Sequence, residues 1–268
     1  MPTMSDVNFD ALYCMFKGEP GLRKSTQALS FPGPQYWFSW DRKMNGIVLP
    51  MMKWGINPKT ISFDDYDEWN KARTKLEQFI INCPYKTLVF DSLTSMADMT
   101  LRQTVKMKYG LSRKSGQTAG KLIAGIAVNE IEDYNAESSA LQELIALTKE
   151  IHIDQKINIV LIAHVVQAEY RDTAKNTTHV SRTIVTAGKK VAPKIPAYCG
   201  EVYHFNIDRG FEADAGGKYT CLTTHTGDDF ARTALPLAAK IEFGDKPLYE
   251  TYIVPAMKEM KNIEVVKF

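Results

Sequence analysis

The segment that most constrains this chain is Gly18–Thr26, which reads Gly-Glu-Pro-Gly-Leu-Arg-Lys-Ser-Thr and lies between a short apolar run and a helical pattern. In a phosphate-binding loop, glycines let backbone N–H groups turn inward around phosphate oxygens, a lysine reaches the β- and γ-phosphates, and the next hydroxyl binds Mg²⁺. The sequence therefore predicts a strand, a phosphate-binding loop and a helix. The residues predicted to contact the nucleotide are Gly18, Glu19, Pro20, Gly21, Leu22, Arg23, Lys24, Ser25 and Thr26.

Arg23 departs from the usual pattern, which has glycine immediately before the lysine. Two interpretations stay open for a working loop: the Arg23 side chain points away from the nucleotide, or it crowds the phosphates and the loop binds them weakly. A third interpretation is structural. In that case the segment is a Gly/Pro turn before a helix, and the Lys-Ser-Thr sequence is coincidental.

Length and composition are those of a globular protein, with 268 residues, 44% of them hydrophobic and 24% charged. We expect one domain over residues 1–268, with a core at about 11–208 and a hairpin and tail at about 209–268. No apolar run approaches the roughly 20 residues of a membrane span, and the N-terminus lacks a basic start followed by an apolar stretch. We therefore expect a cytoplasmic protein without a membrane partner. The four cysteines form no C-x-x-C pair, which favours free thiols.

The net charge of +2 is unevenly distributed. Residues 99–129 contain six basic residues and no acidic residue, and residues 171–194 contain six basic residues and one acidic residue. The rest of the chain therefore has a formal charge of −9. A positive surface on an acidic body is what binding to a phosphate backbone requires, although two solvated loops would have the same composition.

Apolar runs and helical patterns alternate along the chain, which predicts an α/β fold with a mostly parallel sheet flanked by helices. An antiparallel hairpin is expected near the C-terminus. The predicted strands are Ala11–Phe16, Gln35–Trp40, Thr60–Phe63, Thr87–Ser92, Ile157–Ala163, Glu201–Asp208 and Lys218–Thr224. The predicted helices cover residues 24–30, a segment capped by Asp64 or Asp65 that contains Trp69 to Ile80, residues 93 to about 108, and a segment capped by Asn135 that reaches Ile151.

Polar groups follow four of these strands, and the carboxyl ends of parallel strands meet at one edge of a sheet. We expect Lys24, Asp41, Asp91 and His164 to form a catalytic group there. Ser25 and Asp91 are the predicted Mg²⁺ ligands, because a carboxylate after an apolar strand can hold Mg²⁺ through water.

Asp41 is expected to orient or deprotonate the attacking water, and His164 to contact the water or the γ-phosphate. Each acid and the histidine also has a structural alternative. Asp91 could cap a helix, Asp41 could pair with neighbouring basic residues at the surface, and His164 could be purely structural.

In their order along the chain, these segments resemble the RecA-like ATPases. Within that group the chain is most similar to phage-encoded nucleotide-binding proteins of the single-strand-annealing ATPase type, over roughly Leu12 to Phe205. The resemblance implies a RecA-like P-loop NTPase core, ATP and Mg²⁺ as cofactors, and a ring or filament with nucleotide near a subunit boundary. Asp41 stands where such relatives typically have glutamate. This difference and Arg23 bear on the hydrolysis rate more than on nucleotide binding.

The resemblance also implies that two loops face single-stranded DNA, and both basic windows fall in those places. The predicted phosphate contacts are Arg113, Lys114, Lys121, Arg171, Lys175 and Arg182. Tyr109 and Tyr170 could stack on bases, or simply pack locally. The candidates to reach the γ-phosphate of a neighbouring subunit are Lys189, Lys190 and Arg232, with a solvated run of charge as the alternative for each.

The leading expectation is an ATPase that binds single-stranded DNA and assists phage recombination, annealing or replication in the bacterial host cytoplasm. A phage single-strand-binding protein is a possible partner. The second expectation is a nucleotide-gated module that hydrolyses little and loads or tethers another replication protein. A third is a small-molecule kinase, which would need an acceptor pocket and a lid that carries arginine.

Overall fold

The computed structural model describes residues 10–115, 122–123, 126–127, 130, 132–172, 177–186, 191–208, 217–227 and 229–262. The strands are β1 (Tyr13–Gly18), β2 (Gln35–Ser39), β3 (Ile61–Asp65), β4 (Thr87–Asp91), β5 (Leu122–Ile123), β6 (Ile126–Ala127), β7 (Asn158–Asp172), β8 (Thr177–Ile184), β9 (Glu201–Asp208), β10 (Lys218–Leu222) and β11 (Lys240–Glu242). The α-helices are α1 (Lys24–Ala28), α2 (Val48–Lys53), α3 (Trp69–Ile81), α4 (Leu93–Ser115), α5 (Asp133–Gln155) and α6 (Val254–Asn262). Short 3₁₀-helices cover Met44–Ile47, Pro58–Thr60 and Ala192–Tyr198, and a π-helix covers Tyr249–Ile253.

Nine strands form one mixed sheet in the order β11-β10-β9-β1-β7-β4-β2-β3, with β8 paired to β7. The strands from β9 to β3 in this order are parallel, while β10, β11 and β8 pair antiparallel with their neighbours. The two shortest strands, β5 and β6, pair separately. The mostly parallel sheet and its antiparallel C-terminal extension were both predicted from the sequence, and both are confirmed.

The central strands are buried because helices cover both faces of the sheet. Met15 of β1 belongs to the apolar cluster under α3, α4 and α5, whereas Phe16 belongs to the cluster with α1 and α6. Both side chains are fully buried. Burial of such a side chain contributes about 1.5–3 kcal/mol, so the alternating apolar residues of β1 hold the following loop against a rigid sheet.

Several predicted element boundaries were wrong, among them the start of α5, whose cap position belongs to Glu132 rather than Asn135. Asp64 and Asp65 do not cap α3, because they close β3, where backbone pairing with β2 keeps them extended. The cap position belongs to Glu68. Helix α4 continues to Ser115 rather than ending near Lys108, so part of the expected loop over residues 109–121 is helical.

Strand β7 is longer than predicted. The expected strand ends at Ala163, but β7 continues to Asp172 because β8 provides an antiparallel partner from Val165 onward. His164 is therefore the last residue of β7 in register with the parallel sheet, rather than the last residue of the strand. The β7–β8 arm extends from that point. In the described residues no helix is long and apolar enough to cross a membrane.

Candidate nucleotide site

Four neighbouring strands bring the predicted site residues together at the edge where their parallel pairing ends. Gly18 at the end of β1 is in register with His164 of β7, and Ser39 of β2 is in register with Asp91 of β4. The backbone N–H of Trp40 donates to the Asp91 carbonyl at 3.0 Å, which holds the following Asp41 beside Asp91. Segments up to 146 positions apart in sequence therefore meet at one edge of the sheet.

Gly18 begins the loop at a position where only glycine fits. A Cβ atom there would lie 2.6 Å from the carbonyl oxygen of Phe205 on β9, a backbone atom that cannot move aside easily. The close approach of β9 therefore determines the residue type.

Lys24 lies in the first turn of α1 and is only 4% exposed. Its ammonium group donates to the carbonyl of Gly18 at 2.9 Å and to the carbonyl of Glu19 at 2.7 Å. Burial lowers the pKa of Lys24 to about 8, while the negative charges of Asp91 and Glu19 act in the opposite direction. The lysine is thus held over the loop by two hydrogen bonds, next to the position where phosphates bind in such loops.

Ser25 and Asp91 form the pair predicted to hold Mg²⁺. The Ser25 hydroxyl donates to the Asp91 carboxylate at 2.7 Å. Burial raises the pKa of Asp91 to about 6, the Ser25 hydrogen bond lowers it, and the charge of Asp41 raises it further. A hydroxyl beside a carboxylate is an all-oxygen donor set of the kind that Mg²⁺ takes, with phosphate oxygens and water filling the other positions.

Asp41 contacts Lys43 through an ion pair of 3.6 Å, and its side chain is 16% exposed. The surface-pair interpretation is thus partly realised, but the Asp41 charge also acts on the pKa values of Asp91 and His164. On its other side, Asp41 lines a cavity of about 790 Å³ whose walls come from the end of β2, α3 and α4. Asp41 therefore lies between the Asp91 side of the site and this cavity.

His164 is held at the edge of the site by its backbone N–H, which donates to the Thr94 hydroxyl at 3.1 Å. Burial, with a smaller contribution from the Lys24 charge, lowers its pKa to about 4, so the imidazole is neutral at pH 7. Among the described residues, its buried Nδ1 atom has no hydrogen-bond partner. An orphaned ring nitrogen at this edge fits a site built to contact a ligand or an ordered water.

The Arg23 side chain points away from the loop interior. Its backbone is in the left-handed region, with φ of 62°. The guanidinium donates to the Gly244 carbonyl at 3.0 Å, pairs with Asp245, and lies 3.9 Å from the ring centroid of Tyr219 on β10. Left-handed backbone costs a non-glycine residue roughly 1–2 kcal/mol, which these contacts offset. The first interpretation of Arg23 is the one that the geometry supports.

The residues present therefore fit a nucleoside triphosphate with Mg²⁺. Lys24 supplies a positive charge over the loop, and Ser25 and Asp91 supply oxygen ligands. His164 supplies a neutral ring whose Nδ1 atom has no hydrogen-bond partner in the described part of the chain. In the described residues there is no cluster of three or more His, Cys, Asp or Glu side chains for a metal ion. A phosphate-bound Mg²⁺ does not need one, because phosphates and water provide most of its ligands.

For most of the predicted DNA contacts, the structure describes at most the backbone. Arg113 and Lys114 are in the last turn of α4 and Arg171 is in β7, but their side chains lie outside the described residues, as do Lys121 and Lys175 entirely. The side chains of Tyr109 on α4 and Tyr170 on β7 also lie outside them. Arg182 on β8 is half-buried and pairs at 2.6 Å with the buried Asp229.

Three residues were predicted to reach the γ-phosphate of a neighbouring subunit. Lys189 and Lys190 lie outside the described residues. Arg232 is exposed, and its Nε donates to the Gly200 carbonyl at 3.4 Å. Gly200 immediately precedes β9, at the amino ends of the parallel strands, so Arg232 faces the opposite edge of the sheet from Lys24.

Sequence reasoning missed the partners of Arg23. Tyr219 and Asp245 follow Arg23 by about two hundred positions, and nothing in their local sequence marks them as neighbours of the loop. It also missed Thr94, which fixes the His164 backbone from the first turn of α4. The four cysteines are free, as predicted, with Cys83 half-buried and the other three buried.

Comparison with protein families assigns most of the chain to one family. The family described as AAA domain matches residues 11–234, which is most of the chain. The chain belongs to the AAA domain family. This AAA domain includes the loop, Asp41, Asp91, His164 and the β7–β8 arm, and it is a P-loop NTPase, a class that binds and hydrolyses nucleotides. A search of curated proteins found no match to the chain.

Proposed function

We propose that this AAA domain is a Mg²⁺-dependent ATPase that binds single-stranded DNA and assists phage recombination, annealing or replication. The observation that carries the ATPase part is the convergence of the phosphate loop, Asp41, Asp91 and His164 at one sheet edge. Nucleotide hydrolysis requires held phosphates, an anchored metal and an oriented water, and the described residues include a candidate for each task.

The chain's own groups divide the work as follows. Lys24 and the loop N–H groups hold the β- and γ-phosphates, and Ser25 with Asp91 holds Mg²⁺ directly or through water. The bound metal neutralises charge on the phosphate oxygens. Asp41 accepts a hydrogen bond from the attacking water and orients it, while the neutral His164 contacts the γ-phosphate or that water. Arg23 stays outside, stacked on Tyr219.

The DNA part of the proposal is supported by where the basic windows begin. Helix α4 begins two residues after Asp91 and carries the start of the first window, and the second window begins in the β7–β8 arm, which starts just after His164. Both leave the sheet at the edge that holds the phosphate loop. An oligomer with nucleotide near a subunit boundary would bring several such arms to one strand of DNA, and a single-strand-binding protein is a proposed partner.

The test is ATP turnover with Mg²⁺, measured with and without a single-stranded oligonucleotide, for the natural protein and for Lys24→Ala. We expect turnover that the oligonucleotide stimulates and that the variant lacks. Slow turnover that DNA leaves unchanged, together with tight ATP binding, would favour the nucleotide-gated loading module instead. Transfer of phosphate to a metabolite, unaffected by DNA, would favour a kinase.

DNA binding is tested separately by its dependence on salt. Contacts to backbone phosphates predict an affinity that falls steeply as salt rises and is similar for all sequences. Reversal of two charges on α4, Arg113→Glu with Lys114→Glu, should weaken binding to every oligonucleotide. Lys59→Glu is the matched control. Lys59 is exposed and immediately precedes β3, so it lies at the amino ends of the parallel strands, away from α4. Equal binding by the double variant at low salt would remove α4 from the proposed interface.

A further inference from the structure

A second buried lysine precedes the phosphate loop by one residue. Lys17 is the penultimate residue of β1 and only 2% exposed. Side chains alternate along a strand, so Lys17 is on the face shared by Tyr13 and Met15 and away from the face that α1 covers. It is therefore no part of the nucleotide site, although it is joined to Gly18.

The Lys17 ammonium has no direct partner among the described residues, where it forms neither a hydrogen bond nor an ion pair within 4.0 Å. The acid that acts on it is Asp229, which already pairs with Arg182 at 2.6 Å. His204 of β9 is in register with Lys17, and its Nε2 lies 3.5 Å from Asp229. Within the described part of the chain, one oxygen of Asp229 and the Nδ1 atom of His204 are also buried without hydrogen bonds.

Counted over the described residues, this cluster has one positive charge in excess. Lys17 and Arg182 are cations, and Asp229 is the acid between them. Burial lowers the pKa of His204 to about 4, so its ring is neutral at pH 7 and does not change the balance. An unpaired buried cation is costly unless an anion or ordered water meets it.

A cavity of about 280 Å³ opens onto this cluster. Lys17, Arg182 and Thr183, whose side chains carry hydrogen-bond donors, line it, and His225 lines it as well. Phe230 and Pro196 supply apolar surface. The cavity is large enough for one tetrahedral oxyanion, and its wall offers charged and hydroxyl donors of the kind that bind phosphate oxygens.

We propose that this cavity is a second anion site, in which Lys17 and Thr183 bind one phosphate group on the face of β1 opposite the phosphate loop. The group is either free inorganic phosphate or a phosphate of a single-stranded DNA backbone. DNA is included because one wall of the cavity is formed by β8, which is one of the two strands of the β7–β8 arm. The site goes beyond the proposed ATPase and does not depend on it. Phosphate can occupy this cavity whether or not the loop hydrolyses ATP.

The experiment uses Lys24→Ala protein, so that phosphate bound at the loop does not confuse the result. Isothermal titration with inorganic phosphate, at constant ionic strength, should show one site per chain. Adding Lys17→Met should weaken that site at least about tenfold, because a charge-assisted hydrogen bond is lost. Adding Lys59→Met instead, which removes one exposed positive charge, should leave it unchanged. Absence of binding, or binding that Lys17→Met leaves intact, would overturn the proposal.

A second measurement keeps the natural Lys17 and so does not depend on how a variant folds. Lysines are acetylated with acetic anhydride at pH 8, and the modification of Lys17 is followed by mass spectrometry. Protection by inorganic phosphate supports the site with free phosphate as its ligand. Protection by a short oligothymidylate alone supports the site with a DNA phosphate as its ligand. Equal modification under all conditions would contradict the proposal.

Discussion

Two lysines on either side of the loop's first glycine show how similar burial can accompany different environments. Lys24 is 4% exposed and Lys17 is 2% exposed, and burial lowers the pKa of each to about 8. Lys24, however, donates to two backbone carbonyls beside Asp91, whereas Lys17 has no hydrogen bond among the described residues. The first environment is a loop built around its lysine. In the second environment, the described residues offer the ammonium no direct hydrogen bond or ion pair, and Asp229 acts on it only at longer range.

The comparison separates two physical costs. A buried ammonium that donates to carbonyl groups recovers part of the hydration that it lost, while one without a partner recovers little. Replacement of Lys24 should therefore weaken ATP binding, whereas replacement of Lys17 by an apolar residue should raise the free energy of unfolding. The predictions below test this contrast, from the largest expected effect to the smallest.

The largest effect is expected for Lys24→Ala. Loss of the charge over the loop should weaken ATP binding by about a hundredfold or more, since charged hydrogen bonds to phosphate contribute about 1.5–3 kcal/mol each. Binding of a fluorescent ATP analogue measures this, and circular dichroism checks that the fold is retained. Lys59→Ala is the control and should bind normally. Retained affinity in Lys24→Ala would mean that the loop is a structural turn.

Asp91→Asn tests the acid on the Lys24 side. The amide cannot hold Mg²⁺ as a carboxylate does, so ATP turnover should fall at least about a hundredfold, the scale of a lost transition-state contact. ATP binding without Mg²⁺ should persist, because the change removes a negative charge near the phosphates. Asp154→Asn, on the exposed side of α5, is the matched control. If turnover survives in Asp91→Asn at ordinary Mg²⁺ concentrations, the metal is held elsewhere.

Lys17→Met should stabilise the protein in phosphate-free buffer. The pKa of Lys17 is lowered from 10.5 to about 8, which corresponds to a destabilisation on the order of 3 kcal/mol at pH 7. Because the folded-state pKa lies below the unfolded one, the penalty is complete below pH 8 and disappears as the pH rises toward 10.5. The difference in free energy of unfolding between variant and natural protein should shrink over that interval. Urea unfolding at several pH values measures it.

A difference that stays constant with pH would show that the Lys17 charge is already compensated and that the contrast between the two lysines is mistaken. Lys24 contributes equally to both proteins, so its own titration cancels in the comparison. Methionine is the suitable replacement because it is apolar and of similar length, which keeps the space beside His204 filled.

The smallest effect is expected for Arg23→Gly. Glycine adopts the left-handed backbone without strain, but the change removes the stack on Tyr219 and the exposed pair with Asp245. Because these contributions oppose each other, the free energy of unfolding should change by less than about 1 kcal/mol. ATP affinity should stay within about twofold, as the side chain points away from the loop. A large gain in affinity would indicate that Arg23 hinders the phosphates after all.

Local sequence was sufficient for several parts of the site. The glycine and lysine spacing predicted the loop, and apolar runs ending in Asp91 and His164 predicted which strands would meet there. These predictions worked because a buried parallel strand requires a continuous apolar run, and because such strands end at a common edge. The roles assigned to Lys24, Asp41, Asp91 and His164 stay predictions until nucleotide binding and turnover are measured.

Other features could not be predicted, because they depend on residues far apart in sequence. The direction of Arg23 is decided by Tyr219 and Asp245, and the need for glycine at position 18 by the carbonyl of Phe205. The extension of β7 past His164 depends on a partner strand, and the cap of α3 shifted to Glu68 because β3 pairs with β2. The sequence pattern assigned no role to Lys17.

By itself, the sequence determined a phosphate-binding loop on a mostly parallel sheet, because glycine spacing and apolar runs are local properties that the backbone must follow. Only the tertiary structure decided that Lys24 has hydrogen-bond partners and that Lys17 has none among the described residues. The reason is that burial and pairing depend on what the rest of the chain brings to each face of β1. In this protein, those neighbours are His204 and Asp229 on one face and the loop carbonyls on the other.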